Sequence, residues 1–340
     1  MDNVVGQATQ ARPIEDTVTD WYLPESNPRG GWVYPGMVLV EENAKLTEVA
    51  REMAALCQQK PGEDFVIKHG ARLYRGHRIG SVEGDLLALR RVPSMVPPLD
   101  KLGLSDPVRA LLLHEKLSKG GLVIIAGETG QGKSTTAAAA IRARVEKFGS
   151  FCLTVEDPPE LPLNGRVGKS GMVVQTDVRQ GNFGDALRGA MRSYPTQGNS
   201  ILFVGETRDP ETAGEVLRIA TNGHLVITTI HGDDLIGSTQ RFMALARAHK
   251  GMNEQEAKAV FSSAFRLMLH QQLSHEGGRR QLKANILFSG DRSSPVANRI
   301  RQGSIEGLST DVQQQGLLLR EGSVERLLSM FDSQSSAANR

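Results

Sequence analysis

The chain has 340 residues, 39% of them hydrophobic, and a formal net charge of +2. That length suggests two domains with real cores, and the near-neutral balance argues for neither nucleic acid nor a membrane surface as a partner of the whole chain. No apolar run approaches the ~20 residues that span a bilayer, and no basic-plus-apolar leader opens the sequence. Two cysteines, Cys57 in a helical segment and Cys152 in a strand-like one, are expected as buried thiols in a reducing compartment.

Residues 1–30 are polar and carry Pro13, Pro24, Pro28 and a Gly30-Gly31 pair, so a flexible N-terminal arm is expected there. Trp21, Tyr22, Trp32 and Tyr34 interrupt that picture and suggest an arm docked on its own domain or on a neighbouring subunit. Residues 31–93 should form a small α+β domain. A strand is expected at 38–40. Leu46, Val49, Met53 and Leu56 recur at helical spacing and predict a helix over 44–59, and further strands are expected at 65–67 and 86–89. Between them lie Lys68, His69, Arg72, Arg75, His77 and Arg78, followed by Arg90 and Arg91. A solvated hairpin face accounts for these charges. The sharper alternative is that some of the arginines touch phosphates held by a neighbouring subunit.

The run PSMVPP opens a stiff linker over 94–103, because proline fixes φ and restricts the residue before it. Residues 104–332 should form the larger domain, and 333–340 a disordered tail. Asp106-Pro107 supplies a cap and a first helical residue. That helix is expected to run through Leu111, Leu112 and Leu117 and to stop at Gly120-Gly121.

The next stretch organises the chain. The apolar, β-branched run at 122–126 predicts a buried strand, and the alanine-rich stretch 135–147 predicts a helix. Between them Gly127, Glu128, Thr129, Gly130, Gln131, Gly132, Lys133 and Ser134 fit G-x-x-x-x-G-K-[ST], the Walker A phosphate loop. The glycines let the backbone approach phosphates, and the N–H groups of the loop and of the first helical turn aim at an anion. Lys133 would reach the β- and γ-phosphates, Ser134 would bind Mg²⁺, and Thr135 would add a phosphate contact. A glycine-rich turn between core elements is the bland alternative, and the strand–loop–helix context weighs against it.

Further strands are expected at 151–155, 201–204 and 224–229, and helices over 183–192 and from Asp209-Pro210 to about Asn222-Gly223. Such alternation predicts a mostly parallel sheet with helices on both faces, with ligands at the carboxyl ends of the strands. An ATPase needs a group to hold Mg²⁺ and another to activate water. Glu206 is expected to hold Mg²⁺, Glu156 is the first candidate for the water, and Glu160 is the second. Each could instead be a helix cap or a surface charge, and Asp209 is expected to be a cap. His224 and His231 are candidate γ-phosphate sensors, although a lone histidine near a strand end is more often structural. Asn253 and Glu256 form a capping-box pattern for a long helix over 254–273, and 285–330 should hold smaller helices.

The ordered set GETGQGKSTT, TVEDPPE, LFVGETRDPET and TNGHLVITTIH resembles the secretion ATPase superfamily, which includes PilT-like pilus-retraction motors and the DotB/TraJ-like ATPases of type IVB secretion and conjugation. The likeness continues into LHQQL and VANRIRQGSIEGL and covers about residues 85–315. It implies an α/β fold: a RecA-like P-loop NTPase domain preceded by a smaller α+β, PAS-like domain. It also implies a homo-hexameric ring, ATP and Mg²⁺ as ligands, and a place at the cytoplasmic face of the inner membrane beside platform, secretion or conjugation proteins. Direct nucleic-acid binding is not expected. Arginines of the first domain contact the nucleotide in that superfamily, a role carried here to Arg75 and Arg78, then to Arg72 and Arg90. Arg208 matches a residue that holds the Walker B motif. Gln131 stands where serine is common, a change expected to be mild because the loop binds through its backbone. VPSMVPPL and the short first domain favour the DotB/TraJ-like branch. A PilT-like retraction motor is the nearest alternative, with a RecA-like nucleic-acid translocase or a nucleotide-sensing scaffold as readings of another class.

Overall fold

Alternation of buried and exposed side chains builds the first of two units. The computed structural model describes residues 14–178, 183–195, 198–276 and 279–329, and divides at Met1–Ser94 and Met95–Arg340. In the first unit a short helix α1 (Ile14–Thr17) precedes strands β1 (Asp20–Pro24), β2 (Trp32–Tyr34) and β3 (Val38–Leu39), helix α2 (Ala44–Gln58), and strands β4 (Asp64–His69), β5 (Arg72–Ser81) and β6 (Gly84–Arg91). The strands form one antiparallel sheet in the order β3-β2-β1-β6-β5-β4. Helix α2 starts where the Asn43 side chain accepts the N–H groups of Lys45 and Leu46. It buries Leu46, Val49, Ala50, Met53, Ala54 and Cys57 against Trp21, Leu23, Phe65, Tyr74, Leu87 and Leu89 of the sheet.

One expectation is corrected here. Residues 20–24 are no arm: β1 lies between β2 and β6, inside the sheet. Its period of two, with Trp21 and Leu23 fully buried and Tyr22 between them, is short and flanked by prolines, which masks it in the sequence. The part of the expected arm at 1–13, and the expected tail at 333–340, lie outside the described residues.

The second unit runs α3 (Asp106–Leu112), β7 (Gly121–Gly127), α4 (Lys133–Phe148), β8 (Phe151–Glu156), β9 (Gly165–Val167), β10 (Gly171–Asp177), α5 (Phe183–Met191), β11 (Ser200–Val204), α6 (Pro210–Thr221) and β12 (Leu225–His231). Then come α7 (Leu235–Arg247), α8 (Glu254–Ala264), β13 (Phe265–Glu276), β14 (Arg279–Phe288), α9 (Pro295–Gln302), α10 (Leu308–Arg320) and α11 (Val324–Leu328). The sheet order is β14-β13-β7-β12-β11-β8-β10-β9. The strands from β13 to β10 are parallel, and β14 and β9 close the two edges antiparallel.

Strand β7 shows why helices cover both faces. Val123 and Ile125 join a core with Ala137, Ile141 and Val145 of α4, while Leu122, Ile124 and Ala126 join another with Val216 of α6, Phe242 of α7 and Phe261 of α8. Every residue of β7 is buried, as in a parallel strand packed on both sides.

The expected helix over 254–273 ends at Ala264, and Phe265 opens β13. Both faces of β13 are covered, so Phe265, Leu267, Met268 and Leu269 are all fully buried. A run of that kind, apolar except for Arg266, carries no clear period by which strand and helix can be told apart. For the same reason residues 285–288 belong to β14 rather than to a helix. Strands β9 and β10 had no counterpart in the sequence reading. Upstream, Ser105 rather than Asp106 is the cap residue of α3, which stops at Leu112, and Leu117 sits in a separate 3-10 turn, Glu115–Lys119.

Candidate nucleotide site

The phosphate loop leaves β7 at Gly127 and enters α4 at Lys133. Gly127 has φ 151°, and a Cβ there would fall 2.6 Å from the Gln271 backbone oxygen of β13, so only glycine fits. Gly132 caps α4 with φ 80°, and no side chain takes the cap position's hydrogen bonds. The N–H groups of the first turn, at Lys133, Ser134 and Thr135, are thereby left for an anion. Glu128, Thr129 and Gly130 are exposed at the crest of the loop. The Lys133 ammonium donates to the Glu128 backbone oxygen at 2.7 Å. Burial lowers the Lys133 pKa, and the charges of Glu206 and Glu160 act against that shift. Those two carboxylates therefore share the electrostatic surroundings of the lysine.

Strand order explains how distant segments meet. β12 separates β7 from β11, and β11 separates β12 from β8. With strands about 4.8 Å apart, the end of β11 lies roughly 10 Å from β7 and the end of β8 roughly 14 Å, along one carboxyl edge. Glu206 follows β11 and is held by Arg208, whose Nε lies 2.8 Å from its Oε2. The backbone around it is fixed to β12. Thr207 N–H donates to Thr229 O at 2.9 Å, the Thr207 and Thr228 hydroxyls pair at 2.8 Å, and the Thr229 hydroxyl donates to Gly205 O at 2.6 Å.

Glu156 ends β8 and is buried. Burial raises its pKa most, hydrogen bonds from Gln175 and Thr154 pull it back, and the charge of Glu160 raises it again. Gln175 of β10 donates to Glu156 Oε1 at 2.9 Å and to Leu161 O at 2.8 Å, and accepts Leu163 N–H at 3.2 Å. One amide thus ties the carboxylate to the loop that carries Glu160. Glu160 itself is exposed. Asp177 stands in register with Glu156 and adds a carboxylate to this edge. Gln175 and Asp177 are not marked by any motif in the sequence; the one local signal for their strand is the β-branched residues of MVVQTD at 172–177.

The histidines part company. His231 ends β12 in register with Gly127, beside the loop. His224 precedes β12 at its other end, where its backbone oxygen accepts Gly121 N–H at the start of β7. Seven residues at ~3.3 Å each put about 20 Å between it and the loop. Its Nδ1 meets the Ser200 hydroxyl at 2.5 Å, and its ring lies 5.0 Å from that of Tyr194. The expectation that His224 senses the γ-phosphate in its own subunit is overturned: the residue sits at the amino edge of the sheet.

The arginines of the first unit also separate. Successive strand residues alternate between faces, so Arg75 and Arg78 of β5 point to opposite sides. Arg78 shares the inner side with the buried Tyr74 and Gly76 and lies 5.3 Å from the Phe65 ring centroid. It pairs with Glu25 at 3.1 Å and donates to Gly62 O and Cys57 O. Those contacts engage it inside its own unit. Arg75 lies on the other face, and Arg90 pairs with Asp20 at 2.7 Å.

Ser134 and Glu206 offer hard oxygen donors. Mg²⁺ taken up with a nucleotide keeps several waters and uses one or two protein oxygens plus phosphates, so this pair fits the ion. Among the described residues no cluster of three or more His, Cys, Asp or Glu is placed to hold a metal.

Comparison with known proteins places the chain among relatives of similar sequence and fold. The family model described as Type II/IV secretion system protein matches residues 65–304. A twitching motility protein of Neisseria gonorrhoeae is 28% identical over 88% of this chain and 79% of its own length. The type IV pilus retraction ATPase PilT of Pseudomonas aeruginosa is 28% identical over 73% and 68%. A crystal structure of the pilus retraction motor PilT with bound ADP has a TM-score of 0.72 at 27% identity, covering 88% of this chain and 87% of that one. The Legionella pneumophila ATPase DotB, at 22% identity and a TM-score of 0.66 over 86% and 84%, shares the fold.

Proposed function

We propose, from the premise that this chain belongs to the Type II/IV secretion system protein family, that it is a hexameric motor turning ATP hydrolysis into domain movement that drives a pilus or a secretion channel. The family consists of P-loop NTP hydrolases, and the chain is an enzyme of that class. The observation that carries the reading is the glycine-built phosphate loop between β7 and α4, with Lys133 opening α4 and with β11 and β8, the strands that lead to Glu206 and Glu156, ending along the same carboxyl edge of the sheet. We place the motor at the cytoplasmic face of the inner membrane, reached through partner proteins. Among the described residues no helix is long and apolar enough to cross a membrane.

Retraction of a pilus is the finer reading we adopt. PilT is similar to this chain in both sequence and structure, whereas the likeness to DotB supports the fold alone. The preference for the DotB/TraJ-like branch rested on VPSMVPPL and on a short first domain counted from residue 31. Strand β1 adds residues 20–24 to that unit and weakens the second ground.

In this mechanism the loop N–H groups and Lys133 hold the β- and γ-phosphates, and Ser134 and Glu206 would hold Mg²⁺, which would supply charge neutralisation for the phosphates. Glu156 takes a proton from the water whose oxygen attacks the γ-phosphorus. The bond to the bridging oxygen breaks, and ADP and phosphate leave. His231 sits where it can report the γ-phosphate to β12, and Arg75, on the outer face of β5, is the first-unit arginine we favour for a nucleotide on a neighbouring subunit, with Arg78, Arg72 and Arg90 as alternatives.

A base must be ionised to act, and burial already raises the Glu156 pKa. Removing the amide that donates to its carboxylate raises it further. Gln175→Leu is therefore expected to move the acid limb of the kcat–pH profile to higher pH while nucleotide affinity holds. An acid limb that stays in place would take the base role from Glu156.

The reading as a whole is tested by phosphate release with Mg²⁺ and ATP, with and without DNA, and by purification with membrane neighbours. Turnover indifferent to DNA, with pilus-platform proteins in the preparation, is the expected outcome. DNA-stimulated turnover with a steep salt dependence would indicate a translocase instead, and binding without turnover a nucleotide-sensing scaffold.

A further inference from the structure

Gln131 is a loop residue whose side chain the phosphate grip does not use, and the structure gives it another task. Its Oε1 accepts the backbone N–H of Leu273 at 2.5 Å, and its backbone oxygen accepts Nε2 of Gln271 at 2.6 Å. Both partners lie on β13, 140 or more residues further along the chain. Gln271 is 1% exposed, so its amide reaches the loop from inside the fold. The glycines face the same strand. A Cβ at Gly127 would meet Gln271 O at 2.6 Å, and one at Gly132 would meet Leu273 Cδ1 at 3.3 Å and Gln271 Nε2 at 3.4 Å.

The register explains the contact. β13 pairs with β7 only as far as His270 opposite Ala126. From Gln271 onward it continues past the end of β7, paired with β14, and so runs alongside the phosphate loop. The loop is therefore fastened at its root by β7 and near its middle by the β13–β14 hairpin.

We propose that Gln131 and Gln271 are positioning residues that latch the phosphate loop to the β13–β14 hairpin, so that the hairpin sets the loop's readiness for nucleotide. The inference rests on the loop being the nucleotide site and deepens that reading. A latched loop keeps its N–H donors aimed before the phosphates arrive, and a free one must be ordered as they bind. Ordering lost before binding weakens substrate and transition state alike, so it falls on KM more than on kcat.

The test uses the full chain and the variants Gln131→Ala, Gln271→Glu and both together. Gln271→Glu keeps the side chain's size and removes its donor. Loss of one such hydrogen bond is expected to raise KM for MgATP and Kd for ADP about fivefold, with kcat falling by less than KM rises. The double variant should be little worse than the weaker-binding single one, because both act through one loop position. ADP affinity unchanged in Gln131→Ala, or single effects that multiply in the double variant, would overturn the latch. Should Gln271→Glu fail to fold, Gln131→Ala decides alone, since its side chain is only half-buried and lies on a loop. Wild-type protein that binds no ADP would sink the nucleotide reading itself, an outcome distinct from wild type and Gln131→Ala binding equally well.

Discussion

Lys133→Ala will lower ATP turnover by at least ~10²-fold, the scale seen when one preorganised donor to a charged transition state is removed, and nucleotide binding will weaken with it. Lysine opens α4, where alanine is the better helix former, so the variant should fold. What it removes is the ammonium group that now rests on the Glu128 carbonyl at 2.7 Å. That neutral acceptor is a placeholder at the mouth of the loop, and an anionic phosphate oxygen makes the stronger, charge-assisted bond. Burial disfavours the charged form, while Glu206 and Glu160 favour it, so phosphates arrive at a cation already compensated by acids. Lys133→Arg is a demanding control, because a planar guanidinium keeps the charge but not the compact shape. Phosphate release and ADP affinity, read beside the thermal midpoint, check the prediction. Near-normal turnover in Lys133→Ala would remove the loop from the chemistry.

The phosphate loop was legible because three local signals agree there: a β-branched run, glycines where the backbone must turn, and an alanine-rich helix. The placing of the acids along one edge was legible for a related reason, since Glu156 ends β8, Glu206 and Glu160 follow strand ends closely, and parallel strands share one carboxyl edge. Physical contacts between remote segments were not legible. Nothing local to Gln271 or Gln175 announces that one touches Gln131 and the other Glu156, and Gln131 looked replaceable because the loop binds phosphate through its backbone. Burial on both faces erased the period of β13, whose residues suit a helix as well as a strand. His224 was misplaced for a simpler reason. It lies seven residues before His231, and a strand carries that separation straight across the sheet, so two histidines near one strand end up at opposite edges. Arg75 and Arg78 fail as a pair by the same arithmetic, since an odd spacing in a strand turns one of them inward.

Glu156→Gln and Glu206→Gln should both bind nucleotide and both fail to turn it over, for different reasons that pH and metal can separate. Glutamine keeps the size of each side chain and a hydrogen-bonding oxygen, but it can neither take a proton nor carry charge. At position 156 the loss is that of a general base, worth ~10²–10⁴-fold in rate, and raising the Mg²⁺ concentration should not restore it. The side chain is buried and already bonded to Gln175, so the amide should seat in place and leave the loop across the sheet intact. At position 206 the loss is that of a charge shared between Arg208 and the field at Lys133. Metal affinity should fall, so turnover in Glu206→Gln should climb again as Mg²⁺ is raised, and Arg208 should lose its ion pair. In wild type the rate should decline on acidification at a pH above the ordinary carboxylate range, because protonation of Glu156 removes the base and its pKa is raised by burial. Glu206→Gln should retain that limb. If Glu156→Gln hydrolyses ATP at the wild-type rate and Glu160→Gln does not, the proton goes to the exposed acid of the same loop, and the buried one serves to hold it.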